Sequence, residues 1–422
     1  MIIVIIIKRY SDIERINNIT VKKLIVYGRR KVGKTFFIKR VFPNARYFFV
    51  KRNQEILDEE TGRILSYDAF ITLLHDLIKR REMVIIDEFH RLPEDFGDFI
   101  HTNPPQGEMI LITSTLHLAR RYLGTNSPIL GYFTGFRMDI IDERDIILNL
   151  SNYISSPDTL LEFSVFLREP LLLQFFKQEI DPRRFSTTIV DMSKTIVPAL
   201  LGEIFQEEDR KFLRIYEGIL GAIADGKNRL GEIVNHLYSL KLIKAQSHGL
   251  VKPYIDLLGK MGIIEKIKVW NKKFFLYSIP SPLIYTYYYL DEKYGFSEIN
   301  IGQKNIEEAL KSITPILVED FIRKLLSKIY GLISVKVLEP RYDIDIMLLK
   351  FKKPFLVAEV KWRDNMPGRE IYETIEKLSK IDVGKKMLVV KNRKTVEKYS
   401  TMLDDYNIEI IDAEDIIIRS CS

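Results

Sequence analysis

A chain of 422 residues, 46% hydrophobic and 11% aromatic, is too long for one core and too apolar for a disordered polymer. A single cysteine, Cys421, excludes an internal disulfide or cysteine–metal framework and suits a reducing, cytoplasmic setting. The net charge of +7 is concentrated: between Gly226 and Lys273 ten Lys or Arg face three acids, an excess equal to that of the whole chain and the footprint of a polyanion-binding module.

The opening MIIVIIIKRY lacks a basic leader and a small-residue cleavage site, and its apolar run is too short to span a bilayer. It reads as a strand, with no membrane attachment. Leu24 to Lys39, LIVYGRRKVGKTFFIK, then gives an apolar strand, a glycine-bounded loop and an amphipathic helix, the GxxxxGK[ST] phosphate-binding pattern. Gly28 and Gly33 let the backbone N–H groups of Arg29, Arg30, Lys31 and Val32 curl toward phosphate oxygens, and the helix adds its positive end. Lys34 supplies a charge for the β- and γ-phosphates, and Thr35 a hydroxyl ligand for the accompanying magnesium ion. ATP and Mg²⁺ are therefore the expected cofactors.

Ala45 to Val50 is the next predicted strand and Ser66 to Arg81 a helix. Met83 to Glu88, MVIIDE, is an apolar strand ending in two acids, expected beside the phosphate-loop strand with its carboxylates at the carboxyl edge. There Asp87 would hold magnesium and Glu88 would polarise the attacking water. Met109 to Thr113 ends at Ser114, a group suited to sensing the γ-phosphate; the competing reading is a helix cap.

GRRKVGKT, IDEFHRLPEDF and LITSTLHLARRYLGTNSPILG together resemble the archaeal ATPase family, relatives of the signalling ATPases with numerous domains. The family's arginine after the Ser-Pro segment is replaced by Tyr132, with Arg137 five residues on, and its Gly-x-Pro element near the adenine is reduced to Arg168-Glu169-Pro170. These departures leave nucleotide binding intact and bear on turnover.

From Tyr216 the chain reads as helix, glycine turn and helix; a third helix follows over Ser247 to Lys260, and two short strands flank a basic tip. Three helices and a hairpin make a winged helix, which the resemblance also implies at this position. Its third helix would expose His248 and Lys252, and its wing would carry Lys268, Lys272 and Lys273 to DNA phosphates. The aromatic run Tyr285 to Tyr289 reads as core.

Beyond about Gln303 an α/β unit is expected, with a helix from Pro315 to Tyr330. Asp345 on one strand and Glu359 with Lys361 on the next would share a sheet face, since residues two apart on a strand point the same way. Two carboxylates and a lysine so placed can hold a divalent metal ion and set water against a phosphodiester. Glu319 on the preceding helix is a further carboxylate. The pattern resembles the PD-(D/E)XK nuclease superfamily, and archaeal ATPases commonly end in such a domain.

The expected architecture is thus α/β, with a P-loop NTPase sheet over 1–150, a helical extension over 151–205, a winged helix over 206–300 and a nuclease-like domain over 301–422. The function expected is a nucleotide switch acting on bound DNA and a nuclease-like domain. The alternative is a DNA-binding regulator whose nuclease fold is inert; self-association is compatible with either.

Overall fold

A computed structural model describes residues 5–114, 122–124, 127–177, 182–206 and 213–421. Residues 115–121 and 125–126 of the segment that carries part of the family resemblance lie outside the described residues, as do 1–4 of the expected first strand. Residues 5–9 form no strand, and the first element is a helix, α1 (Tyr10–Asn17). Ile5 and Ile7 are buried there without strand partners, so the apolar run reflects packing rather than pairing.

The amino-terminal sheet is built from β1 (Lys23–Tyr27), β2 (Arg46–Val50), β3 (Ile56–Asp58), β4 (Arg63–Leu65), β5 (Val84–Asp87), β6 (Met109–Thr113) and β7 (Thr134–Arg137). Its order is β4-β3-β2-β5-β6-β1-β7, parallel except for the β2–β3–β4 meander at one edge. Helices α2 (Lys34–Val41), α3 (Tyr67–Lys79) and α4 (Phe96–Thr102) connect its strands. The central strands β5 and β6 are buried at every residue, as their unbroken apolar sequence requires when both faces are covered.

One expectation is corrected here. The acid-bearing β5 does not pair with the phosphate-loop strand; β6 lies between them, with Leu111 opposite both Ile25 and Ile86. The carboxyl end of β6, and so Ser114, therefore falls between the loop and the acids.

Helices α5 (Glu143–Leu150), α6 (Pro157–Leu167) and α7 (Pro182–Gln206) follow the sheet. The basic middle then forms α8 (Leu213–Ala224), α9 (Leu230–Ser239), α10 (His248–Lys260) and an antiparallel hairpin of β8 (Glu265–Lys268) and β9 (Phe275–Ser278). Helix α11 (Pro282–Tyr294) has clear sequence punctuation. Ser281 caps it by accepting from Ile284 N–H, Pro282 occupies the first turn, and Gly295 ends it at φ +63°. Its Tyr285, Tyr287 and Tyr288 are buried, in agreement with the core reading.

Helix α12 (Gln303–Ile329) begins twelve residues before the expected start. Pro315 lies inside it rather than at its first turn, because apolar residues continue to either side: Ile306, Ile313, Phe321 and Leu325 all enter the core. Next come β10 (Ile333–Glu339), β11 (Tyr342–Lys350), β12 (Lys353–Lys361), α13 (Gly368–Ser379), β13 (Lys385–Val390), α14 (Ser400–Asp405), β14 (Ile408–Ile411) and α15 (Ala413–Cys421). The five strands form one sheet in chain order, antiparallel through β12 and parallel thereafter. Residues such as Ile346 and Leu356 face α12, while Val357 and Leu388 face α13.

A single apolar cluster runs from Ile5 and Ile141, through the helices, to Ile416. The helical middle and the carboxyl-terminal sheet are therefore fused through α12. The β8–β9 hairpin is also docked: Trp270 N–H donates to Lys336 O at 2.8 Å, Val269 bridges Lys336, and Lys272 Nζ sits 2.8 Å from Glu339. Phe321 is 1% exposed at the centre of this junction. Phe321→Ala should cost about 3–5 kcal/mol and lower the denaturant midpoint of the helical middle and the carboxyl-terminal sheet together; a loss under about 1 kcal/mol would contradict the shared core.

Candidate nucleotide site and carboxylate centre

The loop after β1 turns at Gly28, φ +154°, where a Cβ would lie 2.0 Å from Met138 O, so only glycine fits. Lys31 and Gly33 also have positive φ, which curls the loop before α2. Lys34 is buried, and its Nζ donates to Gly28 O at 2.9 Å and Arg29 O at 3.1 Å. Burial lowers its pKa to about 8, against the opposing pull of Glu88 and Asp87. A buried ammonium held only by carbonyls is poised to receive an anion.

Thr35 Oγ1 donates to Asp87 Oδ2 at 2.6 Å, and Tyr47 OH donates to the same oxygen at 2.7 Å. Asp87 Oδ1 accepts Glu88 N–H at 2.8 Å, and burial raises the carboxyl's pKa. The two residues expected at magnesium thus converge, a donor pair that fits a hard cation. Glu88 adopts φ +55°, an uncommon conformation that recurs at functional sites. Its Oε2 accepts from Ser114 Oγ at 3.2 Å and lies 3.3 Å from His90 Nδ1, which is 3.0 Å from Thr113 Oγ1. Ser114 therefore contacts the acid that would activate water.

Arg29 does not point along the loop's concave side. Its Nη2 reaches Glu169 Oε1 and Oε2 at 2.8 and 2.7 Å, both side chains are buried, and Ser281 Oγ donates to Glu169 at 2.6 Å. Arg29 thus contributes its backbone to the loop, while its charge is neutralised by the Arg168-Glu169-Pro170 element. Arg137, which stood in for the missing arginine, pairs with Asp139 at 2.9 Å, and Tyr132 stacks on His101.

Sequence reading missed Arg9. It is buried and donates to Val32 O at 2.8 Å, Asp12 at 2.6 Å and Asp139 O at 2.7 Å, bracing the loop from behind. An arginine three residues before an acid at a helix start, just ahead of the first strand, was the available signal. A cleft of about 970 Å³ opens beside the loop, lined by Ile5, Ile7, Val32, Phe36, Pro170 and Leu171 among others. Its apolar walls suit a flat base.

In the carboxyl-terminal sheet, Lys361 Nζ donates to the fully buried Glu359 Oε2 at 2.9 Å. Glu359 Oε1 accepts no hydrogen bond, with Lys377 Nζ 3.9 Å away. Asp345 accepts Val360 N–H at 2.9 Å, and Glu319 ion-pairs with Lys336. Burial raises Asp345 to about 6, with Glu359 adding to the shift, and raises Glu319 to about 7, with Asp345 adding to it. The sheet brings the expected residues into one electrostatic neighbourhood. Among the described residues, however, no three His, Cys, Asp or Glu side chains gather closely enough to hold a metal ion.

Of the expected DNA contacts, His248, Lys252, Lys268 and Lys273 are exposed, whereas Lys272 is half-buried against Glu339. The wing's charge is reduced there because its tip is docked on β10.

No family profile matches the sequence, and no curated protein matches it either. Among solved structures the chain is similar to a Walker-type ATPase of Pyrococcus abyssi, at 17% identity and a TM-score of 0.51, over 67% of this chain and 96% of that one. The ORC2 protein of Aeropyrum pernix aligns over 72% of this chain and 92% of its own at 12% identity, with a TM-score of 0.37. The ORC1 protein of the same organism, solved with DNA, covers 71% and 96% at 12% identity and 0.32. The fold is that of the P-loop ATPases, with the Walker-type ATPase as the informative neighbour. Among the described residues no helix is long and apolar enough to cross a membrane.

Asp345 and Glu319 retain protons in the folded chain where the unfolded chain has lost them. Their contribution to stability therefore falls as pH rises from about 4 to about 7. Asp345→Asn and Glu319→Gln should each flatten that slope in denaturant titrations at several pH values; an unchanged slope would show that these carboxyls titrate normally.

Proposed function

We propose that the protein is an ATP-binding and ATP-hydrolysing, DNA-associated switch. The observation that carries this reading is the buried Lys34 beside the 2.6 Å Thr35–Asp87 contact, at the mouth of a glycine-turned loop. Phosphates would take the place of the Gly28 and Arg29 carbonyls as partners of Lys34, restoring the charge that burial opposes. Thr35 and Asp87 would hold magnesium, which neutralises charge on the β- and γ-phosphates. Glu88 would accept the proton of the attacking water, with Ser114 and His90 holding its carboxylate.

Lys34→Ala should abolish the calorimetric signal of ATP with magnesium. Glu88→Gln should keep that signal and slow phosphate release by roughly 10²-fold or more. Full turnover in the Glu88 variant would remove the water-activating role.

The helices α8 to α10 with the β8–β9 hairpin are read as a winged helix that meets DNA through Lys252, Lys268 and Lys273. Neutralising these lysines should weaken DNA retention and shallow its salt dependence; unchanged binding would discard the interface. The carboxyl-terminal sheet is read as a nuclease-like domain, in which Asp345 and Glu359 would hold the metal and Lys361 would offset charge on the attacked phosphate. The second reading, a domain that binds and does not cut, is favoured by the absence of a three-ligand group among the described residues. Magnesium- or manganese-dependent plasmid nicking lost in Glu359→Ala, Lys361→Ala would support cleavage; nicking equal in parent and variant would dismiss it.

A further inference from the structure

The turn between β11 and β12 breaks several local rules at once. Phe351 and Lys352 form a two-residue hairpin loop with φ +49° and +66°, a geometry usually filled by Asn-Gly. A bulky side chain in that conformation is a steric outlier. Phe351 is 91% exposed, so no burial offsets the strain. The flanking Lys350 and Lys353 are cross-strand partners, a like-charge pair that opposes the hairpin. Lys350, Lys352, Lys353 and Lys385 are all exposed, and Lys385 lies over Tyr330 and Phe355 at 5.2 and 5.4 Å. Costs that accumulate without a structural return mark a site selected for something else.

We propose that this tip is a nucleic-acid contact in which Phe351 stacks on an unpaired base while Lys350, Lys352 and Lys353 hold the adjoining phosphates. It rests on the reading of the winged helix as a DNA-binding module and names the substrate class, DNA with a single-stranded segment. Two features tie the tip to that module. Val269 of the wing bridges Lys336 on β10, and Lys266 and Lys268 line a cleft of about 520 Å³ together with Gly331 to Ser334. Ile333 in that cleft pairs with Leu349, the neighbour of Lys350, so the cleft that Lys268 lines opens toward the tip's end of the sheet, while Lys272 beside Glu339 marks the other end. The same hairpin carries Asp345, six residues before Phe351, which at about 3.3 Å per residue is roughly 20 Å or six stacked bases away. Aromatic stacking is sequence-tolerant, and lysines without an ordered acceptor suit a backbone.

The test compares the full chain on a blunt duplex and on the same duplex with a single-stranded tail carrying 2-aminopurine at the junction. The parent should bind the tailed DNA roughly tenfold more tightly and change the probe's fluorescence. Phe351→Ala should lose both effects and keep its blunt-duplex affinity. Phe351→Asn with Lys352→Gly should do likewise with an unchanged or raised melting temperature, because those residues suit the turn. Retention of the tail preference in either variant overturns the proposal, as does a parent that binds blunt duplex through Lys252 and Lys268 with no tail preference. A parent that binds neither DNA removes the winged-helix reading and this proposal with it. If instead Phe351→Ala abolishes binding to phosphatidylserine vesicles and leaves both DNA affinities intact, the tip belongs to a membrane surface.

Discussion

The buried Arg29–Glu169 pair connects the parts of this molecule. An arginine within the phosphate loop, a glutamate at the end of α6 and the serine that caps α11 share one hydrogen-bonded cluster shielded from water. Breaking such a pair on one side leaves an uncompensated charge in a low dielectric, costing about 3–5 kcal/mol, so the three segments are constrained to move together or to separate cleanly. Glu169 links the side chain of Arg29 to Ser281, the cap of the helix that follows the wing. The contact joins the phosphate-loop backbone directly to the segment that follows the wing.

The same logic accounts for the anchoring of Arg168-Glu169-Pro170. Arg168 ion-pairs with Glu143 and donates to Ile141 O, and Glu169 takes Arg29. The two charged residues clamp the segment to the phosphate loop and to the start of α5, while Pro170 and Leu171 line the apolar cleft beside the loop. Ion pairs thus anchor the segment while its apolar residues form a wall of the cleft.

Much of the fold was legible because its signals were local. The phosphate loop, the MVIIDE strand, the three helices and the hairpin of the basic middle, and the strands bearing Asp345 and Glu359 all follow from periodicity, glycines and caps. Apart from the opening run and the start of α12, the errors concern relations between distant segments. That β6 separates β1 from β5 is a choice among apolar strands of equal character, which pairing alone decides. Arg9 and the Arg29–Glu169 contact, 140 residues apart, have no sequence period. The burial of Lys272 against Glu339 depends on the wing lying along β10, a docking that composition does not report. Of the five expected basic contacts, His248, Lys252, Lys268 and Lys273 stay exposed and Lys272 is neutralised by Glu339.

The two candidate centres differ in how complete they are, and the difference is chemical. At the loop, each group has a defined partner: Lys34 is held by the Gly28 and Arg29 carbonyls, Thr35 and Asp87 already touch, and Glu88 is held by Ser114 and His90. In the carboxyl-terminal sheet, raised carboxyls at Asp345 and Glu319 are balanced by Lys336 and Lys361, cations that occupy the neighbourhood a divalent ion would neutralise. A metal must compete with those ammonium groups, whereas a phosphate at the loop competes only with two carbonyls. The loop is the more open of the two centres: Lys34 is held there by two backbone carbonyls, whereas Glu319 and Glu359 already have Lys336 and Lys361 as partners.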